Sequence, residues 1–154
     1  IIMIKRVEIE HVEYLAHSLA KKTLEFNEPI PEFNTRFPHR LESCLAVPFQ
    51  SFEGKTPYID LVSKASILFY LLNKNHAFQN GNKRIALTTL LVFLALNKKW
   101  LYVSTKEFYK FAVEVAESDP KEQKKIVKKI RSFIKEHLVS MSWIEKKLRE
   151  ALKK

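Results

Sequence analysis

A chain of 154 residues with one cysteine, two glycines and six prolines has little from which to make disulfide staples or tight turns. A lone Cys44 cannot pair internally, which excludes the small disulfide-framework class and suits a reducing cytosol. The shortage of glycine and proline weighs against sandwiches and barrels, whose many short strands need turns built from those residues. Long apolar runs are also missing. The longest nearly uncharged one, Ile85 to Asn97, falls short of the ~20 residues that cross a bilayer. No basic-then-apolar leader opens the sequence. Hydrophobic content of 46% excludes a disordered chain. These absences together predict a soluble, cytoplasmic, all-α protein with one domain over 1–154.

What the chain has in excess is positive charge, and unevenly. Of a formal net charge of +10, residues 121–154 carry 12 Lys or Arg against 4 Glu. The preceding 120 residues are nearly balanced, with 15 basic and 13 acidic residues. A run of this kind is first of all a solvated helix face. An acidic partner segment or nucleic acid would also fit it. No aromatic interleaving or zinc-ligand spacing favours nucleic acid.

Apolar periodicity supplies the helices. Val7, Val12, Leu15, Leu19 and Leu24, with Ile9 and Ala16 beside them, predict a helix over about 7–24, ended by Pro29 and Pro31. Leu41 to Val47 forms a second helix closed by Pro48. Phe49 to Tyr58 alternates apolar and polar residues around Glu53-Gly54-Lys55, which reads as a short β-hairpin or extended flap. A third helix over Tyr58–Lys74 buries Ile59, Val62, Ala65, Ile67, Leu68, Leu71 and Leu72. Asn75 ends it, since asparagine tolerates the left-handed conformation. Lys83–Leu96 is apolar around most of its circumference and becomes the central helix, terminated near Asn97. Capping boxes at Ser104/Glu107, Asp119/Glu122 and Ser142/Glu145 place the last helices at about 105–117, 120–138 and 143–152.

Between the third and central helices lies the densest chemistry, His76-Ala77-Phe78-Gln79-Asn80-Gly81-Asn82-Lys83-Arg84. A helix start offers unpaired N–H groups and positive dipole to an anion. Lys83 and Arg84 add full charges, and the N–H groups of Gly81, Asn82 and Lys83 together with Asn82 suit phosphate oxygens. Asn80-Gly81 is equally a tight turn, and an anion nest is itself a turn. His76, with an ordinary pKa of about 6.5, can accept a proton near neutrality. Phe78, two residues on, points the other way and anchors the loop in the core.

This stretch resembles the signature of the Fic/Doc superfamily, H-x-F-x-(D/E/N)-(G/A)-N-(K/G)-R, and its Doc (death-on-curing) branch more than the adenylylating Fic branch. The likeness extends through Arg40-Leu41-Glu42-Ser43, Pro48, Phe52-Glu53-Gly54, Tyr58, Leu94 and Asn97, covering roughly residues 5–103. The resemblance implies a helical bundle around a central helix, and the basic helices over about 105–152 lie beyond the stretch it covers. It implies a transferase in which His76 is the general base on a Ser, Thr or Tyr hydroxyl of a target protein. ATP is the implied substrate and Mg²⁺ the implied metal.

Two departures direct the chemistry. Lys83 stands where adenylylating members carry glycine, and Leu87 where they carry a second arginine. The resemblance then implies Doc-like phosphoryl transfer, with AMP transfer as the alternative. Asn80 replaces the acidic residue that commonly holds Mg²⁺, and a neutral amide contributes no charge. A Fic-fold binding module with a weakened site is the non-catalytic alternative, and a basic nucleic-acid-binding helical protein the one that charge alone suggests.

The resemblance further implies that the flap, Phe49, Gln50, Ser51, Phe52, Glu53, Gly54 and Lys55, receives a target segment as an added strand. An ordinary connection between helices has the same sequence. Doc-type proteins are associated with elongation factor Tu and with a small inhibitory antitoxin, so both enter as expected partners, without a membrane. Ser118 and Glu122 have the spacing of an inhibitory Fic helix, but Gln123 follows and the segment already reads as a cap.

Overall fold

The computed structural model describes residues 3–23 and 29–153, so the expected helical position Leu24 lies outside it. Helix α1 (Ile9–His11), a π-turn (Val12–Ala16) and α2 (His17–Thr23) follow one another directly. The π-turn rephases the apolar stripe: Val12, Ala16 and Ala20 are buried at four-residue spacing, whereas Leu15 and Leu19 are 47% and 39% exposed. The expected inward position of those two leucines is therefore corrected. At the end of the π-turn, the Thr88 hydroxyl donates to the Ala16 carbonyl at 2.8 Å.

Helix α3 (Pro38–Ala46) begins three residues before the expected Leu41, with Pro38 in its first turn, where a missing N–H costs nothing. Pro48 does not simply close it but sits inside a 3₁₀ turn, Val47–Phe49. The flap then folds back at Glu53 and Gly54, both at positive φ. Phe52 and Lys55 exchange main-chain hydrogen bonds of 2.8 and 2.9 Å across the turn. This is the expected hairpin in its shortest form.

Helix α4 is Leu61–Lys74, shorter at its start than the expected 58–74. The carboxylate of Asp60 caps it by accepting from Ser63 N–H at 2.7 Å, and that bond holds its pKa below the ordinary carboxylate value. Ile59 consequently lies outside the helix and is 79% exposed, not buried. Asn75 ends α4 in the right-handed region. The left-handed residue is His76, with φ +46°.

Helix α5 (Asn82–Leu96) is buried nearly all round, with Ile85, Leu90, Phe93 and Leu94 at the centre of the core. It packs against α2, α4 and α6 (Thr105–Glu117), and α4 packs in turn on α7 (Gln123–His137). An aromatic stack joins these layers: Phe69 of α4, Phe111 of α6 and Phe133 of α7 lie with centroids 6.2 and 4.2 Å apart. Helix α7 buries Ile126, Ile130 and Ile134 at four-residue spacing, which leaves its lysines outside.

The caps at Ser104 and Asp119 are present; Ser104 accepts from Glu107 N–H at 3.1 Å, and Asp119 from Lys121 N–H at 2.9 Å. Asp119 opens a 3₁₀ turn (Pro120–Glu122) rather than α7 itself. The last cap is Ser140, which accepts from Trp143 N–H, and α8 is Met141–Leu152; the expected Ser142 box is thus displaced by two residues. Two three-residue strands, β1 (Lys99–Leu101) and β2 (Leu138–Ser140), pair antiparallel with Trp100 opposite Val139. No sequence pattern announced them. Among the described residues, no helix is long and apolar enough to cross a membrane.

Candidate active site

The loop between α4 and α5 is held from three sides. From α3, Phe37 N–H donates to the Ala77 carbonyl at 2.8 Å and Arg40 Nη1 to the His76 carbonyl at 3.2 Å. From below, Phe78 is 3% exposed and packs on Phe33 and His17, with centroids 5.9 and 6.1 Å away. From within, Asn82 closes the loop: its Oδ1 accepts from Phe78 N–H at 2.9 Å, and its Nδ2 donates to the Phe78 carbonyl at 2.8 Å.

That bracing reassigns Asn82. Its side chain is spent on the loop rather than turned to an anion, leaving the main-chain N–H as its offering. The first helical bond of α5 runs from Ile85 N–H to the Gly81 carbonyl at 3.0 Å, so the N–H groups of Asn82 and Lys83 have no intrahelical partner. Gly81 takes φ +76° at the helix start, and a Cβ there would come within 2.9 Å of Ile30 Cγ1. Glycine is required twice over, by backbone hand and by space. Asn80 Oδ1 accepts from Gly81 N–H at 2.9 Å and tightens the same turn.

All of the motif's polar residues open on one cavity of about 300 Å³. His76, Asn80, Gly81, Asn82, Lys83 and Arg84 line it. His76 is exposed, Lys83 half-buried, and Arg84 only 5% exposed. Four lining residues lay outside the sequence reading: Gln79 from the same loop, Asn73 from α4, and Tyr109 and Ala116 from α6. Asn73 had a visible signal, as a polar residue on a buried side. Its Nδ2 donates to the Phe69 carbonyl, and its Oδ1 has no hydrogen-bond partner among the described residues. Tyr109 had none, because its position within α6 is that of any amphipathic-helix residue.

The cavity is cationic by construction. Lys83, Arg84 and the positive end of α5 face it, and no carboxylate lines it among the described residues. Among the described residues there is no cluster of three or more His, Cys, Asp or Glu able to hold a metal. Asn80 Oδ1 accepts one hydrogen bond from the turn, and its neutral amide brings no charge to a cation. Cys44 lies behind the loop, with Asn75 Nδ2 3.6 Å from its Sγ. Burial pushes its thiol up to about 11, so it is no nucleophile at neutral pH.

The flap does not line this cavity. Phe49, Gly54 and Lys55 border a separate depression of about 700 Å³, shared with Met3, Ile4, Ile59 and Lys64. Phe52, at the tip, is 62% exposed. Both stems of the flap are tied to one side chain: Lys64 of α4 donates from Nζ to the Pro48 carbonyl at 2.9 Å and to the Tyr58 carbonyl at 2.6 Å. Its ammonium also stands 4.6 Å from the Phe49 ring. Burial, with Arg6 nearby, lowers the Lys64 pKa despite Asp60.

With this geometry in view, comparison with known families is decisive at one level. Residues 6–94 match the model described as the Fic/DOC family, more than half the chain, and the chain belongs to that family. Its members are generally transferases that modify proteins by nucleotide transfer. The matched stretch ends inside α5, so the α6 wall with Tyr109 and Ala116 is supplied from beyond it. Comparison with curated proteins and with solved structures gives no match.

Proposed function

We propose that this chain is a Doc-like enzyme that transfers the γ-phosphoryl group of ATP to a hydroxyl of a target protein, with elongation factor Tu the first target to test. The observation that carries the reading is the convergence of His76, Lys83, Arg84 and the start of α5 on one polar cavity. An exposed imidazole at its mouth can meet a Ser, Thr or Tyr hydroxyl presented by another protein. His76 takes the hydroxyl proton as the oxygen bonds to the γ-phosphorus. The bond from that phosphorus to its bridging oxygen breaks, and ADP leaves. Arg84, Lys83 and the α5 N–H groups balance charge on the phosphates.

Two residues favour phosphoryl over AMP transfer. Lys83 lines the cavity where adenylylating relatives carry glycine. Leu87, where they carry a second arginine, is 2% exposed in the core and supplies no charge. A magnesium ion would enter on the nucleotide's own phosphates, since the cavity wall offers it no carboxylate among the described residues. A small antitoxin that holds the enzyme inactive belongs to the same reading.

Intact-mass analysis of purified elongation factor Tu after incubation with the chain and ATP tests it. A phosphate increment that disappears with His76→Ala is expected. An AMP increment would put adenylyl transfer in its place. No increment on this factor, or on any protein of an extract supplied with labelled ATP, would leave the binding-module reading.

A further inference from the structure

A second recess lies across the molecule's basic helix, away from the cavity of the motif. It runs between α4 and α7, has a volume of about 530 Å³, and shares no lining residue with the His76 cavity. Its apolar surface comes from Pro57, Tyr58, Ile67 and Val127. Lys124, Lys128 and Arg131, spaced by four and three residues along α7, form a single stripe beside it. Among the described residues, no carboxylate lines this groove.

The three cations are not equivalent. Arg131 donates from Nη1 to Ser63 Oγ at 2.6 Å and stands 3.5 Å from Asp60, so it is already engaged. Lys124 and Lys128 are exposed, and among the described residues neither has a carboxylate within ion-pair distance. Their neighbour Lys129, on the other side of the helix, does pair, with Glu114. Two cations without a carboxylate partner among the described residues thus border this apolar groove.

We propose that this groove docks an acidic segment of a partner protein, one carrying a bulky apolar side chain between its carboxylates. The apolar side chain gains by burial against Tyr58, Ile67 and Val127. The carboxylates meet Lys124 and Lys128, which fixes register and speeds encounter. A nucleic acid fits less well. The groove offers one aromatic ring, half-buried Tyr58, where strand binding needs stacking platforms, and only two unengaged cations, where phosphate-driven affinity needs many. The docked segment would rest on Tyr58, whose carbonyl is one of the two held by Lys64, and so on the stem of the flap.

The test uses the full chain as bait for random peptides displayed on phage, with the selected sequences remade as fluorescent peptides. The expected winners carry Asp or Glu flanking Leu, Phe or Trp. Lys124→Glu/Lys128→Glu should weaken their binding by about tenfold or more, as like charges then face each other. Val127→Ala should weaken it independently of salt, while the lysine contribution should fade as ionic strength rises. Melting curves establish that both variants are folded. Winners without acidic residues, affinity unchanged in the double lysine variant, or displacement by a short oligouridine at equal charge would each overturn the proposal. Lys124 and Lys128 lie outside the motif cavity, so transfer by the double variant should be unchanged. Failure of this surface is thereby read separately from failure of the proposed reaction.

Discussion

The chain's two glycines make a controlled experiment. Gly54 and Gly81 have φ of +75° and +76°, so a Cβ at either strains the backbone alike. Their surroundings differ completely: nothing lies within 4 Å of a Cβ at Gly54, whereas at Gly81 it would approach Ile30 Cγ1 to 2.9 Å. Gly54→Ala should then cost only the left-handed conformation, about 1–2 kcal/mol. Gly81→Ala adds an overpacking cost of about 1–3 kcal/mol, because a branched and half-buried side chain must shift. In a domain of this size each kcal/mol moves Tm by roughly 2–4 °C, so thermal melts resolve the two variants. The contact is isolated by combination. In an Ile30→Ala background the penalty of Gly81→Ala should fall to that of Gly54→Ala, a coupling readable as a double-mutant cycle. Equal losses at the two glycines, or an undiminished Gly81 penalty without Ile30, would refute the steric half of the reasoning.

Three further outcomes follow from the site and its supports. His76→Ala should lower transfer by on the order of 10²–10⁴-fold with ATP affinity nearly unchanged by calorimetry; an unaltered rate in a folded variant removes His76 from the chemistry. Lys83→Gly should reduce phosphate adducts and admit some AMP adducts by mass, only partly because Leu87 still stands where the second arginine would be; adducts unchanged in kind would show that Lys83 does not choose the phosphate. His17, buried and donating from Nε2 to the Pro31 carbonyl at 2.9 Å, has its pKa lowered from 6.5 mainly by burial. Below pH about 6.5 the unfolded chain therefore takes up a proton that the folded one resists. Stability should fall as pH drops through that range and level off below the folded pKa, and His17→Phe should flatten this segment of the denaturation profile. A profile that keeps its slope in His17→Phe assigns it elsewhere.

The parts of the fold legible in the sequence were those written in local chemistry. The central helix is apolar around most of its circumference and belongs in the core. Ser104 announced its helix because a hydroxyl three residues before a glutamate has a definite capping geometry. The signature loop was legible for the same reason, since glycine at positive φ and a phenylalanine anchor are local requirements. What escaped depended on partners distant in the chain. The π-turn at Val12–Ala16 shifts the helical phase, which turned Leu15 and Leu19 outward against a period that assumed none. Strands of three residues, Lys99–Leu101 and Leu138–Ser140, are too short to show alternation and exist only because each finds the other. Tyr109 reaches the cavity only because α6 packs beside α5. The Ser142/Glu145 box pointed to a helix start two residues late, because strand pairing runs up to Ser140 and that hydroxyl takes the cap.

The hold of Lys64 on the flap has a bearing on how such a molecule can change. Both acceptors are main-chain carbonyls, at Pro48 and Tyr58, so the clasp recognises where the chain runs and not which side chains it carries. Everything between them is exposed except Phe49. A segment fastened in this manner can exchange its side chains from Gln50 to Pro57, the left-handed Gly54 apart, without loosening its mount, much as a tool head is exchanged on a fixed handle. The freedom to vary then resides in the outward side chains of this segment, while a single ammonium beneath them keeps the frame that carries any replacement.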